Sequence, residues 1–237
     1  MSERLPSGLR PVEFCLDYIP HAEGSCLVTM GRTRVICTAT LENRVPNFLE
    51  GKGTGWITAE YAMLPRSTGT RQERERTRGK PNSRALEISR LIGRALRAVI
   101  DFQALGERTL MLDCDVIEAD GGTRCASING AAVALRLALD RLTTSGAVAA
   151  HPMKQMVAAV SVGLVDKELR LDLDYNLDSR AGVDLNVVMS ADLRLIEVQG
   201  TAEREPFGRE ALDGMLDLAT AGIRQINGYQ NGALGLA

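Results

Sequence analysis

Residues 120–124, Asp-Gly-Gly-Thr-Arg, set two glycines, a hydroxyl and a permanent cation between a segment with strand alternation and one with helical spacing. Glycine accepts positive φ and lets backbone N–H groups approach a ligand with no Cβ in the way. The first turn of a helix adds free N–H groups and a partial positive charge, a combination that binds phosphate. Thr123 offers a hydroxyl donor, and Arg124 offers a planar fork that fits phosphate oxygens. Two readings stand. One is an anion cradle; the other is a strand-to-helix turn with a capping threonine and a solvated arginine. The stretch is no Walker loop, since no Gly-Lys-Ser/Thr follows, and it lacks the GxGxxG dinucleotide pattern.

A second arginine, Arg84, falls in the first turn of a helix expected from Asn82 or Ser83, where a cation meets the positive dipole end. An anion shared by Arg84 and Arg124 accounts for that placement; so does a solvated side chain or a pair with Glu87. Further on, "DLDYNLDSRAGVDLN" holds Asp172, Asp174, Asp178 and Asp184. Asp172 and Asp174 alternate with leucines and are expected on the solvent face of a strand. Asp178 and Asp184 bracket a turn that could join two carboxylates. Such a pair suits Mg²⁺, which keeps several waters and shares substrate oxygens. Loop aspartates that cap turns are the commoner use of these residues.

The net charge is −2, which argues against a general nucleic-acid binder, but its distribution argues otherwise. From Arg66 to Arg97 the chain carries ten Lys/Arg and three Glu, a net +7 against −9 for the remainder. That is the pattern of a focused polyanion site on an acidic protein. Five scattered cysteines without a CxxC fit reduced intracellular thiols. Two histidines, His21 and His151, make a histidine-rich zinc site hard to build and stand in no nucleophile context. The N-terminus lacks an apolar signal core and no window spans a membrane, so the cytoplasm is expected.

The elements that must position these residues follow from periodicity. "PVEFCLDYI", a hairpin around "MGRT", and "GWITAEYAML" read as strands. "PRSTGTRQERERTRGKPNS" has no apolar period and reads as a long exposed arm. A helix follows, with Ile88, Leu91, Ile92, Ala95, Leu96 and Val99 on its buried face. "RTLMLDCDVIEAD" is a strand leading into the glycine turn, and a second helix runs from about Thr123 to Leu142. The second half offers two hairpins, around "VDKE" and "SADL", then a final helix from near Arg209. The reading is one α+β domain over 1–237, with an N-terminal half of about 10–145 and a C-terminal half of about 154–227.

In order, the chain carries "HAEGS" (21–25), "GWITAEYAMLPRST" (55–68), "SRALEISRLIGRALRA" (83–98), "LDCDVIEADGGTRCASINGA" (112–131), "MVAAVSVG" (156–163), "DLNVVM" (184–189) and "EVQGTAE" (197–203). Together they resemble the ribonuclease PH family of bacterial phosphate-dependent exoribonucleases. The resemblance runs roughly from Leu9 to Asn227. It implies the ribonuclease PH fold, with a left-handed βαβ element shared with a ribosomal-protein domain, and a homohexamer built as a trimer of dimers. It implies a reaction in which inorganic phosphate attacks the 3′-terminal phosphodiester of RNA and releases a nucleoside diphosphate, reversibly. The implied substrates are the 3′ trailers of tRNA precursors, with ribosomal RNA ends as further targets.

Carried over by position, the resemblance gives phosphate binding to Arg84, Gly122, Thr123 and Arg124, and Mg²⁺ (or Mn²⁺) to Asp178 and Asp184. Arg84, Arg124, Asp178 and Asp184 form the catalytic set, and Arg66, Arg71 and Arg74 grip RNA. Cys125 and Asn129 stand where threonine or serine is expected, and Leu177 stands where an acidic residue is common. Two rivals are a catalytically inactive RNA-binding ring subunit and a small-molecule phosphotransferase. The first would show losses among the four catalytic residues; the second would leave the basic arm unexplained. Aromatic residues are 4% of the chain, so RNA contacts are expected mostly at the backbone.

Overall fold

The computed structural model describes residues 4–74, 77, 79 and 82–236. Glu75, Arg76, Arg78, Lys80 and Pro81 of the expected arm lie outside them. Strands β1 (Val12–Leu16), β2 (Gly24–Met30), β3 (Thr33–Glu42), β4 (Trp56–Met63) and β5 (Thr109–Glu118) form one sheet in the order β1-β2-β3-β5-β4. Strict alternation drives it. Cys26, Val28 and Met30 of β2, Val35, Cys37 and Ala39 of β3, and Leu110, Leu112, Cys114 and Val116 of β5 are all buried. All neighbours are antiparallel except β4 and β5, which are parallel. A parallel pair needs a crossover, and helix α1 (Ser83–Arg97) lies within it, followed by the single turn α2 (Phe102–Leu105). Asn82 caps α1 by accepting from the Arg84 N–H at 3.1 Å.

Strands β6 (Val157–Val165), β7 (Glu168–Leu171), β8 (Val183–Ser190) and β9 (Leu195–Ala202) make a second, antiparallel sheet in the order β7-β6-β8-β9. Here the alternation misleads. Strand β7 stops at Leu171, and Asp172 turns inward with left-handed backbone (φ 56°) and 1% exposure. Asp174 likewise leaves the strand and caps the short helix α4 (Tyr175–Asp178), accepting from the Leu177 N–H at 2.9 Å. Neither aspartate lies on the solvent face of a strand.

Helix α3 (Thr123–Thr144) is buried on nearly every side, from Cys125 through Leu135 without interruption. An amphipathic helix shows a stripe; a helix packed against both sheets shows none. Asn129 locks it to the second sheet, donating to the Ala159 carbonyl at 2.9 Å and accepting from the Ala159 N–H at 2.7 Å. On helix α5 (Arg209–Leu234), fully buried Gln230 donates to the carbonyls of Asn129 and Val157 at 3.2 and 3.1 Å. Asn129 therefore ties the two halves together. Among the described residues, no helix is long and apolar enough to cross a membrane.

Candidate active site

A cleft of about 1080 Å³ opens where the starts of α1 and α3 meet α4 and the β8–β9 hairpin. Arg84, Gly122, Thr123, Arg124, Asp178, Asp184 and Arg74 all line it. The topology explains the convergence. Helices α1 and α3 begin side by side at the ends of the parallel strands β4 and β5, and the second sheet brings its carboxylates against that edge.

Gly121 and Gly122 both have positive φ, 77° and 67°. A Cβ on Gly121 would lie 2.5 Å from the Leu173 carbonyl oxygen and 2.8 Å from the Tyr175 nitrogen. The space freed by this glycine is filled by the chain's own second half, which passes directly against the turn. Gly122 is the N-cap of α3 and supplies no side-chain bond, so Thr123 is not the cap. Instead the buried Thr123 hydroxyl accepts from Tyr61 Oη at 3.0 Å, leaving its own hydrogen for another acceptor. Burial pushes the Tyr61 phenol up, against the bond to Thr123 and the charges of Arg84 and Arg124, so it stays a neutral donor.

Behind the turn, carbonyl oxygens are tied down. Arg10 donates to Asp120 O at 2.6 Å and to Gly121 O at 3.4 Å, and Thr33 Oγ1 donates to Gly121 O at 2.7 Å. Arg10 is itself clamped to Asp172 by Nη2–Oδ1 at 2.7 Å and Nε–Oδ2 at 3.0 Å. Burial would raise the Asp172 carboxyl, but the hydrogen bonds and charge of Arg10 outweigh it and hold it low. In front, among the described residues, no backbone acceptor takes the N–H groups of Gly121, Gly122, Thr123 or Arg124.

Arg124 makes one ion pair, Nη2 to Glu87 Oε2 at 3.1 Å, while its buried Nε–H has no partner among the described residues. Glu87 also accepts from Gln199 Nε2 at 3.1 Å. Burial raises Glu87, yet the bonds from Gln199 and Arg124 prevail and its carboxyl sits below the usual range. Glu87 is thus the partner of Arg124; Arg84 makes no ion pair among the described residues. Asp178 closes α4 and Asp184 lies on β8. Burial and then the charge of Asp184 raise the Asp178 carboxyl, with Arg84 and Arg124 pulling it back. Two carboxylates and two arginines therefore feel one another across the cleft. Leu177, where an acid was expected, packs on the small cluster of Val165, Leu173 and Ala181 and anchors α4.

The arm is less uniform than its sequence. Arg74 reaches the cleft beside Thr68, Gln72 and Glu73, whereas Arg66 and Arg71 are exposed outside its lining. Tyr61, Arg10 and Gln199 were not foreseen. Arg10 and Asp172 are 162 positions apart, and nothing local signals their pairing. Tyr61 sits within an ordinary alternating strand. Among the described residues, no group of three or more His, Cys, Asp and Glu is placed to hold a metal ion.

Comparison with known proteins gives the family and the fold. The models of the 3′ exoribonuclease family match in both parts, domain 1 over residues 8–139 and domain 2 over residues 155–222. The chain is similar to ribonuclease PH of Moorella thermoacetica, 59% identical over 227 residues, covering 96% of this chain and 91% of that protein. Among solved structures it resembles rice (Oryza sativa) Rrp46, with TM-score 0.78, 18% identity and 98% of each chain covered. It also resembles a chain of the Archaeoglobus fulgidus exosome with RNA bound to the active site, with TM-score 0.80 and 20% identity over 96% of this chain and 92% of that one. At those identities the two structures speak to the fold alone, a two-part arrangement of mixed sheets and helices.

Proposed function

The chain belongs to the 3′ exoribonuclease family, and from that premise we propose that it trims the 3′ ends of tRNA precursors, and of ribosomal RNA, within this one cleft. It is a phosphorolytic exoribonuclease and nucleotidyltransferase with inorganic phosphate as co-substrate. The observation that carries the site assignment is that Arg84 and Arg124 from the first half share a cleft with Asp178 and Asp184 from the second.

The nucleophile is already an anion, so no strong base is needed. The difficulty is repulsion between phosphate and the RNA phosphodiester. Arg84, Arg124, the Thr123 hydroxyl and the free N–H groups at the start of α3 hold and neutralise the attacking phosphate. Its oxygen forms a new bond to the terminal phosphorus; the bond from that phosphorus to the preceding nucleotide's 3′ oxygen breaks, and a nucleoside diphosphate leaves. Asp178 and Asp184 fit a divalent ion, since burial and the Asp184 charge raise the Asp178 carboxyl in the shared cleft, and two hard carboxylates so placed gain from a cation. Mg²⁺ or Mn²⁺ held there would neutralise charge on the scissile phosphate and the departing oxygen. Arg74 guides the RNA backbone at the cleft mouth, and Arg66 and Arg71 hold it farther out.

The four cleft residues are all present, which disfavours an inactive RNA-binding subunit. We further read the two halves as one cooperative unit, since α3 needs both sheets to cover it, working in the cytoplasm as a homohexamer. Strand β9, outermost in its sheet, leaves Leu195 54% and Val198 42% exposed, apolar surface that assembly would cover. Digestion of a tRNA precursor with and without inorganic phosphate tests the reading. Shortening that requires phosphate and yields nucleoside diphosphates is expected; equal shortening without phosphate would refute it.

A further inference from the structure

A heavily bonded polar pair among the described residues lies outside the catalytic set. Arg10 and Asp172 are 7% and 1% exposed, and the arginine reaches two carboxylate oxygens and two backbone carbonyls at once. Arg4 adds Nη1 to Asp172 Oδ2 at 3.3 Å and Nη2 to Asp172 O at 2.8 Å. A buried ion pair of this kind is a poor way to gain stability, because desolvation offsets much of the attraction. Its placement points to a different use.

We propose that Arg10 and Asp172 are positioning residues for the phosphate cradle, their buried pair pinning the carbonyls of Asp120 and Gly121 behind the turn and so aiming its N–H groups into the cleft. The inference rests on the cleft being the phosphate site. Its physical core is the trans peptide. The carbonyl of Asp120 and the N–H of Gly121 belong to one rigid plane and point opposite ways, as do the carbonyl of Gly121 and the N–H of Gly122. Arg10 and Thr33 fix both oxygens to the rear. The N–H groups must then face forward, and among the described residues no backbone acceptor takes them. The same pair controls the opposite wall. Asp172 opens the segment that presses against Gly121, runs through the cap Asp174, and ends at Asp178. One ion pair therefore sets the aim of the cradle and its distance from the carboxylates.

Arg10→Lys keeps the charge but loses the fork, and Thr33→Val removes a second tie to the same carbonyl without altering charge. For each variant, calorimetry gives the Kd for inorganic phosphate, filter binding gives the Kd for a tRNA precursor, and assays give KM for phosphate and kcat. Both variants are expected to raise Kd and KM for phosphate by about five- to tenfold, as losing one or two buried hydrogen bonds does. RNA affinity should stay within about threefold in both variants because the arm is intact, and kcat at saturating phosphate should do so in Thr33→Val, whose tie to Gly121 does not reach the carboxylate wall. Unchanged phosphate affinity in either folded variant overturns the proposal, as does an equal loss of phosphate affinity, RNA affinity and kcat. If neither variant folds, the pair is a folding element and the proposal also fails. A wild-type protein that binds no phosphate would instead refute the assignment of the cleft, and this inference with it.

Discussion

In the proposed function the glycine turn and the basic arm both offer arginines to an anionic substrate, yet they are built in opposite ways. The turn is fastened from behind by Arg10 and Thr33, from the side by Tyr61, and from across the cleft by the Leu173–Tyr175 backbone. The arm from Pro65 to Arg74 has little of this. Ser67 is tied at Leu64 and Ala119, Gln72 closes back onto Pro65, and Arg66, Arg71 and Arg74 remain exposed with no ion pair among the described residues. Chemistry on a phosphorus atom tolerates little misplacement, so the donors there must be fixed before substrate arrives. Gripping a backbone of varied sequence and shape needs charge within reach, and long solvated side chains supply it. The contrast is between preorganised and adaptable binding of the same chemical group.

The sharpest way to break that contrast is to remove a cation from the fastened side. Arg124→Ala is expected to lower phosphorolysis by about 10²-fold or more while leaving RNA binding nearly intact. Single-turnover rates beside a binding curve check it, and a wild-type rate would remove Arg124 from the site. Asp184→Asn should leave a folded protein whose rate falls by roughly 10- to 100-fold at low Mg²⁺, since an amide is a weak ligand for a hard cation. A full rate at low Mg²⁺ would make the pair of carboxylates structural.

The arm should respond on a different axis. Neutralising Arg66, Arg71 and Arg74 together should flatten the slope of log K against log salt for a tRNA precursor by about two units, at about 0.7 per contact for single strands. A very short RNA that cannot reach the arm should keep most of its rate. Equal losses on short and long substrates would show that the arm belongs to the chemistry after all. Smaller still is the acid limb of the rate. Burial and the Asp184 charge raise the Asp178 carboxyl of the metal-free cleft, so at low Mg²⁺, where proton and cation compete for it, activity should fall on acidification at a pH above the usual carboxylate range. Asp184→Asn should move that limb downward, measurable in the residual rate. Asp172 has the opposite sign. Its depressed carboxyl contributes stability that is present above the ordinary carboxylate pKa and is lost only as pH falls through the lowered value. Thermal melts from neutral to acid pH should keep that contribution until well into the acid range in the wild type and lack it in Asp172→Asn.

Periodicity made the strands of the first sheet, the hairpins and helix α1 legible, because each buries one face at a fixed spacing, whereas α3, buried on nearly every side, was legible from the glycine turn that starts it. The meeting of Arg84 and Arg124 in one cleft was legible through helix starts and a glycine turn, which are local features, whereas the spacing of Asp178 and Asp184 alone said little. What local pattern misread was Asp172 and Asp174, whose alternation with leucines imitates a solvent-facing strand. Their true roles depend on Arg10, far away in sequence, and on a helix of one turn. Glu87 was weighed as a partner for Arg84, yet it takes Arg124, because the two helix starts lie side by side only after β4 and β5 pair. Gly121 is a subtler case. Its freedom was legible, but the atoms occupying the vacated space come from the second half.

Gln230 lies in the last helix of the chain, and its side chain completes hydrogen bonds on α3 and β6, near the middle of the sequence. A nascent chain leaves the ribosome N-terminus first. The cradle's own helix is therefore synthesised long before the residue that seals its far side, and it must wait partly bare while about a hundred residues follow. The order of synthesis thus runs against the order of closure. The side of that helix carrying Asn129, which the second sheet later covers, is the surface a chaperone would meet during the delay.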